Sequence, residues 1–305
     1  MELQKPQHIT SLATAGVLVS VEVNVWSATK QDREISHEVT TAKKADDNAG
    51  RFVKNLLADN ALHKDLLNYR QTIYNWMKRR TFDWNKSQSY LPAVALPRFM
   101  EEYHQHEQAF CDKLDKFLAE YNNIVSNMAF KQGQMFNRAD YPTVDQVRNK
   151  FGMRLFRYEV PVGDFRCQIS QDLADEMQQH YTKQAQEIVQ GILQDQKDRL
   201  IDVMQSLTHC CGYDEYKGKD GETKHKKRKI YEGTIEKAKE YCADYRNFNL
   251  TGDDELFSVI DELSVALRGV DADMLRESDA TRNSVKEGVD SILSRFAPKA
   301  GTQEG

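Results

Sequence analysis

Residues that break helices are scarce in this chain: 6 prolines and 15 glycines punctuate 305 residues. That excludes the short-stranded sandwiches and barrels, which need a turn every eight to twelve residues or so. Long apolar runs are missing too, and no stretch approaches the roughly 20 apolar residues needed to span a bilayer. The short run at 15–19, after Lys5 and interrupted by Glu22, has neither the length nor the charge order of a secretion signal. Cysteine is sparse and odd in number: Cys111, Cys167, Cys210, Cys211 and Cys242 make no disulfide framework and fit a reducing compartment. Neither sign of charge dominates, because a net charge of -5 gives no global attraction to nucleic acid or anionic lipid. Phosphate-binding glycine loops, the Gly-x-Ser-x-Gly elbow and His-Glu-x-x-His do not occur. No enzyme, cofactor or metal class is indicated by motif.

What the chain does have is charge, at 29% Asp, Glu, Lys and Arg, and helical periodicity. Phe110, Leu114, Phe117, Tyr121, Ile124 and Met128 recur at alternating steps of four and three, a heptad seam on a helix expected over 98–131. At 1.5 Å per residue that helix is about 50 Å long. A second stretch, 169–207, runs without proline, with Ser170 as N-cap and Leu173, Met177, Tyr181, Ala185, Ile188, Ile192, Leu200, Val203 and Leu207 turned inward. Its middle, Asp195 to Arg199, is strongly polar and predicts a weak or exposed seam. The two long helices are expected side by side, as a coiled-coil-like antiparallel hairpin.

Strict alternation marks one strand over 18–26, with Val19, Val21, Val23 and Val25 on one side and Ser20, Glu22 and Asn24 on the other. A second alternating run at 153–162 is its expected partner in a two-stranded sheet, because an isolated strand leaves backbone groups unsatisfied. Between them the pattern predicts helices over 38–58 and 62–80, broken at Asp59 and Asn60, then a loop over 81–97 and a short helix within 140–150. After residue 229 it predicts helices over 231–247, from 254 onward with Leu256, Ile260, Leu263 and Leu267 as seam, and from an Asp271 cap through Phe296. The expected fold is mainly α with a small β element. Its organisation reads as an N-terminal region 1–168, a C-terminal helical arm 169–296 and a disordered tail 297–305.

The strongest local electrostatic feature lies in 212–229, a composition break that should form a loop or hairpin tip. Lys224, His225, Lys226, Lys227, Arg228 and Lys229 could hold phosphates, with Tyr213, Tyr216 and Tyr231 near enough to stack on bases. Lys78, Arg79 and Arg80, followed by Phe82 and Trp84, form a smaller basic cluster that could extend a track. The competing reading of either cluster is a solvated surface. Two metal readings are weaker: His209, Cys210 and Cys211 lack the spacing of a zinc site. Glu101 and His104 form one Glu-x-x-His pair, whose only companion, Glu34 and His37, falls near a helix entrance rather than inside a bundle. Asp164 and Arg166 are expected as a structural ion pair.

Three segments carry a resemblance: LVSVEVNVWSATK at 18–30, LPRFMEEYHQHEQAFCDKLDKFLAEYNNIV at 96–125 and ADYPTVDQVRNKFGMRLFRYEVPVGDFR at 139–166. With a looser likeness after residue 231, the chain resembles an uncharacterised family of phage and bacterial proteins. The resemblance implies a phage or mobile-element setting, hence a host cytoplasm, and association with an AAA-type ATPase system; it implies no catalytic residues. Residues 212–229 lie outside that pattern. The leading expectation is a non-enzymatic helical interaction protein that self-associates or docks a protein partner, without membrane. The alternative is a nucleic-acid-binding protein acting through 224–229.

Overall fold

The computed structural model describes residues 13–46, 48–161, 171–217, 222–246 and 254–296. The fold is mainly α with small antiparallel sheets. In chain order it runs β1 (Gly16–Asn24), β2 (Thr29–Asp32), α1 (Arg33–Ala42), β3 (Phe52–Asn55), α2 (Ala61–Arg80), β4 (Phe82–Asp83), β5 (Ser89–Pro92), α3 (Leu96–Gln132), α4 (Val144–Arg148) and β6 (Gly152–Tyr158). The second half holds α5 (Gln171–Cys211), β7 (Tyr213–Lys217), β8 (Thr223–Lys227), α6 (Glu232–Arg246), α7 (Asp254–Ala266), α8 (Ala272–Glu277) and α9 (Asp279–Phe296).

β1 and β6 pair antiparallel as the alternation predicts, with Val21 opposite Leu155. The sheet is larger than expected, however. It has four strands in the order β4-β5-β1-β6, because part of the segment read as a loop supplies β4 and β5. Tyr90 and Leu91, neighbours on β5, are both fully buried on opposite faces of the sheet. Pleating sends one into each of the two hydrophobic cores. Gly16 makes room for this: a Cβ there would run into the Tyr90 ring and the Leu91 carbonyl.

The first core lies on one face of the sheet, between α2, α3 and α4. Asn60 caps α2 by accepting from His63 N–H at 3.0 Å, after Asp59 turns the chain at φ 58°. Thr143 and Gln146 close a capping box on α4. Phe99, Phe110, Leu114, Phe117, Tyr121, Ile124 and Met128 of α3 are buried, so the heptad seam is closed within the chain. Each such side chain contributes about 1.5–3 kcal/mol by leaving water.

The second core is formed by α5 with α6, α7, α8 and α9. The two long helices are therefore not arms of one hairpin: α3 packs on α2, whereas α5 packs on α6 and α9. Polarity explains the difference. Gln196 of the polar middle is 2% exposed. Arg199 donates to the carbonyls of Lys78, Arg79 and Thr81 at 3.1, 3.1 and 2.9 Å and to Asp195 at 2.6 Å. What read as an exposed seam is where α5 clasps the C-terminal end of α2, whose last carbonyls need donors.

Three local expectations also change. Residues 38–58 do not form one helix: α1 ends at Ala42, Lys44 turns the chain at φ 53°, and β3 pairs with β2. The buried residues of α1 are Ser36 and Thr40, so its inward face is polar. The expected final helix breaks at Ser278, whose backbone is extended and whose Oγ accepts from Thr281 N–H at 3.1 Å. Leu173 is exposed. Ser170, Cys167, the Asp164 and Arg166 pair, and the tail 297–305 lie outside the described residues.

Candidate functional site: a clamped basic hairpin

At the C-terminal end of α5 the chain turns directly into the β7–β8 hairpin. The last helical carbonyls carry the negative end of the helix dipole and have no intrahelical donors. Arg282 of α9 answers both needs. Its guanidinium donates to the carbonyls of Cys210, Cys211 and Gly212 at 2.8, 2.9 and 3.0 Å, and to Arg228 across the hairpin at 2.7 Å. It also lies 5.3 Å from the centre of the Tyr213 ring. At 1% exposure it is the most deeply buried charged side chain described. Nothing in the sequence singles it out, since Arg282 stands among polar residues of an ordinary surface-type helix.

The strand register sorts the basic run. Tyr213 faces Lys227, Asp214 faces Lys226, Glu215 faces His225, Tyr216 faces Lys224 and Lys217 faces Thr223. Residues directly opposite share a face of the ribbon, and faces alternate along each strand. The face holding Tyr213 and Lys227 turns toward α9: Tyr213 Oη donates to Asn283 at 3.1 Å and Lys227 pairs with Asp279 at 2.5 Å. The other face carries Asp214, Tyr216, Lys224, Lys226 and Arg228. Arg228 is tied to Asp214 at 2.6 Å and donates to Nδ1 of His209 at 3.0 Å. Tyr216 is 50% exposed, and Lys224 and Lys226 beside it are exposed. Lys229, past the strand, lies 5.0 Å from the Tyr231 ring.

The second basic cluster has a different fate. Arg80 makes a forked contact with Glu102, at 2.9 Å from Nε and 2.7 Å from Nη2, and reaches Asp244 at 2.8 Å. Arg98 joins at 3.0 Å to Glu102 and 2.9 Å to Asp244, and Trp76 Nε1 donates to Glu102 at 2.6 Å. Burial pushes the Glu102 carboxyl up, but the donors Trp76, Arg80 and Arg98 outweigh it and hold the group below its ordinary value. This network binds α2 and α3 of the first core to α6 of the second. Arg80 is thereby withdrawn from any anion-binding track, while Lys78 and Arg79 remain exposed.

The residues weighed for metal do not converge. His104 is paired with Glu107 on an exposed helix face at 3.4 Å. Cys210 Sγ lies 4.0 Å from Thr234 Oγ1, whereas Cys211 and Cys242 point into the second core, where burial raises the Cys211 thiol. Among the described residues no three His, Cys, Asp or Glu side chains are placed to share a metal. A shallow open groove of about 560 Å³ runs past Asp202, Ser206, His209, Cys210 and Thr234, and His209 there is engaged by Arg228. No helix among the described residues is long and apolar enough to cross a membrane. Comparison with protein-family models, with curated proteins and with solved structures returned no match.

Proposed function

We propose that this chain is a non-enzymatic helical interaction protein and that the element it presents is the β7–β8 hairpin, offered to a polyanionic partner. The observation that carries this reading is the Arg282 clamp. A buried arginine fixes the root of the hairpin to the helical body while its outer residues stand in solvent. Residues 212–229 hold seven Lys and Arg against four Asp and Glu and no aliphatic side chain. Lys and Glu are depleted at the cores of protein interfaces, which favour aromatic and apolar anchors, so this composition suits phosphate or sulfate groups better than a protein hot spot. The test is retention on immobilised heparin at low salt. The full chain should bind and elute with rising salt, and the Lys224→Glu, Lys226→Glu double variant should elute markedly earlier. Passage of the parent protein without retention would refute the reading.

Self-association is a second reading, supported by β6. That strand is an outer strand of its sheet, and among the described residues nothing pairs with its free side. Phe156 and Tyr158 on it are 38% and 44% exposed. An exposed strand edge is a template for pairing with another chain. Light scattering over a wide concentration range should show a dimer that Phe156→Lys abolishes; a strict monomer removes this reading. The phage or mobile-element setting and work beside an AAA-type ATPase enter as proposals from the resemblance alone.

A further inference from the structure

We infer that the face of the β7–β8 hairpin bearing Tyr216, Lys224 and Lys226 is a binding site for single-stranded nucleic acid, with a base stacked on Tyr216 and phosphates held by the two lysines. The inference rests on the polyanion reading and deepens it by naming the ligand and the residues. Three tyrosines lie in or beside the basic run, and the structure separates them. Tyr213 is used at the root, against Arg282 and Asn283. Tyr231 has Lys229 set near its ring. Tyr231, 56% exposed, lies past the ribbon, so of the three Tyr216 alone stands on its outer face, 50% exposed and directly across from Lys224. Lys224 and Lys226 stand exposed on the same face of the ribbon as Tyr216, whereas Lys227 is turned to Asp279 on the other.

An aromatic face flanked by ammonium groups matches what an unpaired nucleotide offers, a planar base and a phosphate joined by a short flexible link. Stacking tolerates any base, so sequence preference should be weak. A duplex keeps its bases stacked inside and would use only the lysines. An acidic peptide offers carboxylates without a planar face and would be indifferent to the ring.

The experiment is fluorescence anisotropy with labelled single-stranded DNA and RNA of about 15 nucleotides, the matching duplex, and poly-glutamate, using the full chain. Tyr216→Ala should weaken single-strand binding about tenfold, and Tyr216→Phe, which keeps the ring, should restore most of it. Lys224→Ala and Lys226→Ala should each lower the slope of log affinity against log salt by about 0.7. Lys227→Ala should change affinity by no more than about twofold. Circular dichroism of each variant should match the parent, because the substituted side chains are exposed. A preference for DNA or for RNA would say which strand is the natural ligand, and either supports the site. Unchanged binding in Tyr216→Ala, duplex bound as tightly as single strand, or poly-glutamate bound as tightly as the oligonucleotide would each overturn it. Heparin retention that depends on Lys224 and Lys226, with no oligonucleotide bound at low salt, would leave the polyanion reading standing and remove this one.

Discussion

The first core sets eight buried rings among its aliphatic side chains and the second sets two, and the two cores meet at one sheet. Trp76, Phe99, Tyr103, Phe110, Phe117, Tyr121, Tyr141 and Phe151 are the rings of the first. The second has Phe82 and Tyr90 as its buried rings, both from the strands between α2 and α3, and is otherwise leucine, isoleucine, valine, alanine, methionine and cysteine. Their polar fittings differ in the same way. Beside the aromatic core lie groups that titrate in acid: His63, His106, Glu102, and the pair Asp32 and Asp140 around Lys54. At the edge of the aliphatic core lies Arg282, whose guanidinium is met by carbonyls rather than carboxylates. The contrast teaches that one chain can secure two joints differently, one through carboxylates and imidazoles and the other chiefly through backbone carbonyls.

The largest expected effect falls on the joint held by Arg282. Arg282→Met keeps apolar volume but removes the guanidinium from the carbonyls of Cys210, Cys211 and Arg228 and leaves Gly212 with the Arg228 amide alone, at a cost of about 2–4 kcal/mol in urea denaturation. The amide of Arg228, which bonds the Gly212 carbonyl at 3.2 Å, should exchange with solvent faster. Arg282→Lys should recover little, since one ammonium cannot span four acceptors. A full recovery by lysine would show that charge alone holds the hairpin root.

Acid should act on the aromatic core first. His63 donates from Nε2 to the Trp26 carbonyl at 2.7 Å, and burial lowers its pKa below the ordinary 6.5. His106, against Tyr69 and Trp76, is lowered for the same reason. Groups with a depressed folded pKa contribute stability that is complete above the unfolded value and is lost as pH falls toward the folded one. Stability should therefore decline from about pH 6.5 downward as both imidazoles are forced to charge. A second decline should follow below about pH 4.5, where Glu102 takes up its proton. Glu102→Gln should cost about 1–3 kcal/mol near neutral pH and flatten that second step. Urea midpoints measured by tryptophan fluorescence across pH 8 to 3 would show both steps. A flat profile down to pH 5 would erase the contrast between the cores.

Much of the local structure was legible in residue order. The valine alternation of β1, the β6 partner, the break at Asp59 and Asn60 and the α3 seam follow from short-range periodicity and turn chemistry, which act within a few residues. The errors have a common cause. At 38–58 an alanine-rich helical pattern outweighed the turn-forming Asp46, Asn48 and Gly50, and pairing with β2 claimed Phe52 to Asn55. At 81–97 the prolines suggested a loop, yet Tyr90 and Leu91 belong to a strand because each finds its own core. At 195–199 polarity suggested exposure, when Arg199 was the donor for the end of another helix.

The candidate site divides along the same line. Sequence alone determined that residues 212–229 carry a concentrated positive charge beside tyrosines, that the chain is mainly helical, and that α3 has a seam to bury, since each of these is a property of composition or of spacing along one element. Only the tertiary structure decided that Arg80 is consumed by Glu102 and Asp244 while Lys224 and Lys226 lie exposed on one face of the ribbon. It alone made Arg282 the clamp, and it alone separated Tyr216 from Tyr213. Those outcomes depend on which carboxylates and carbonyls arrive from elements far away in the chain, and an ion pair or a hydrogen bond is settled by distances of a few ångströms that residue order does not contain.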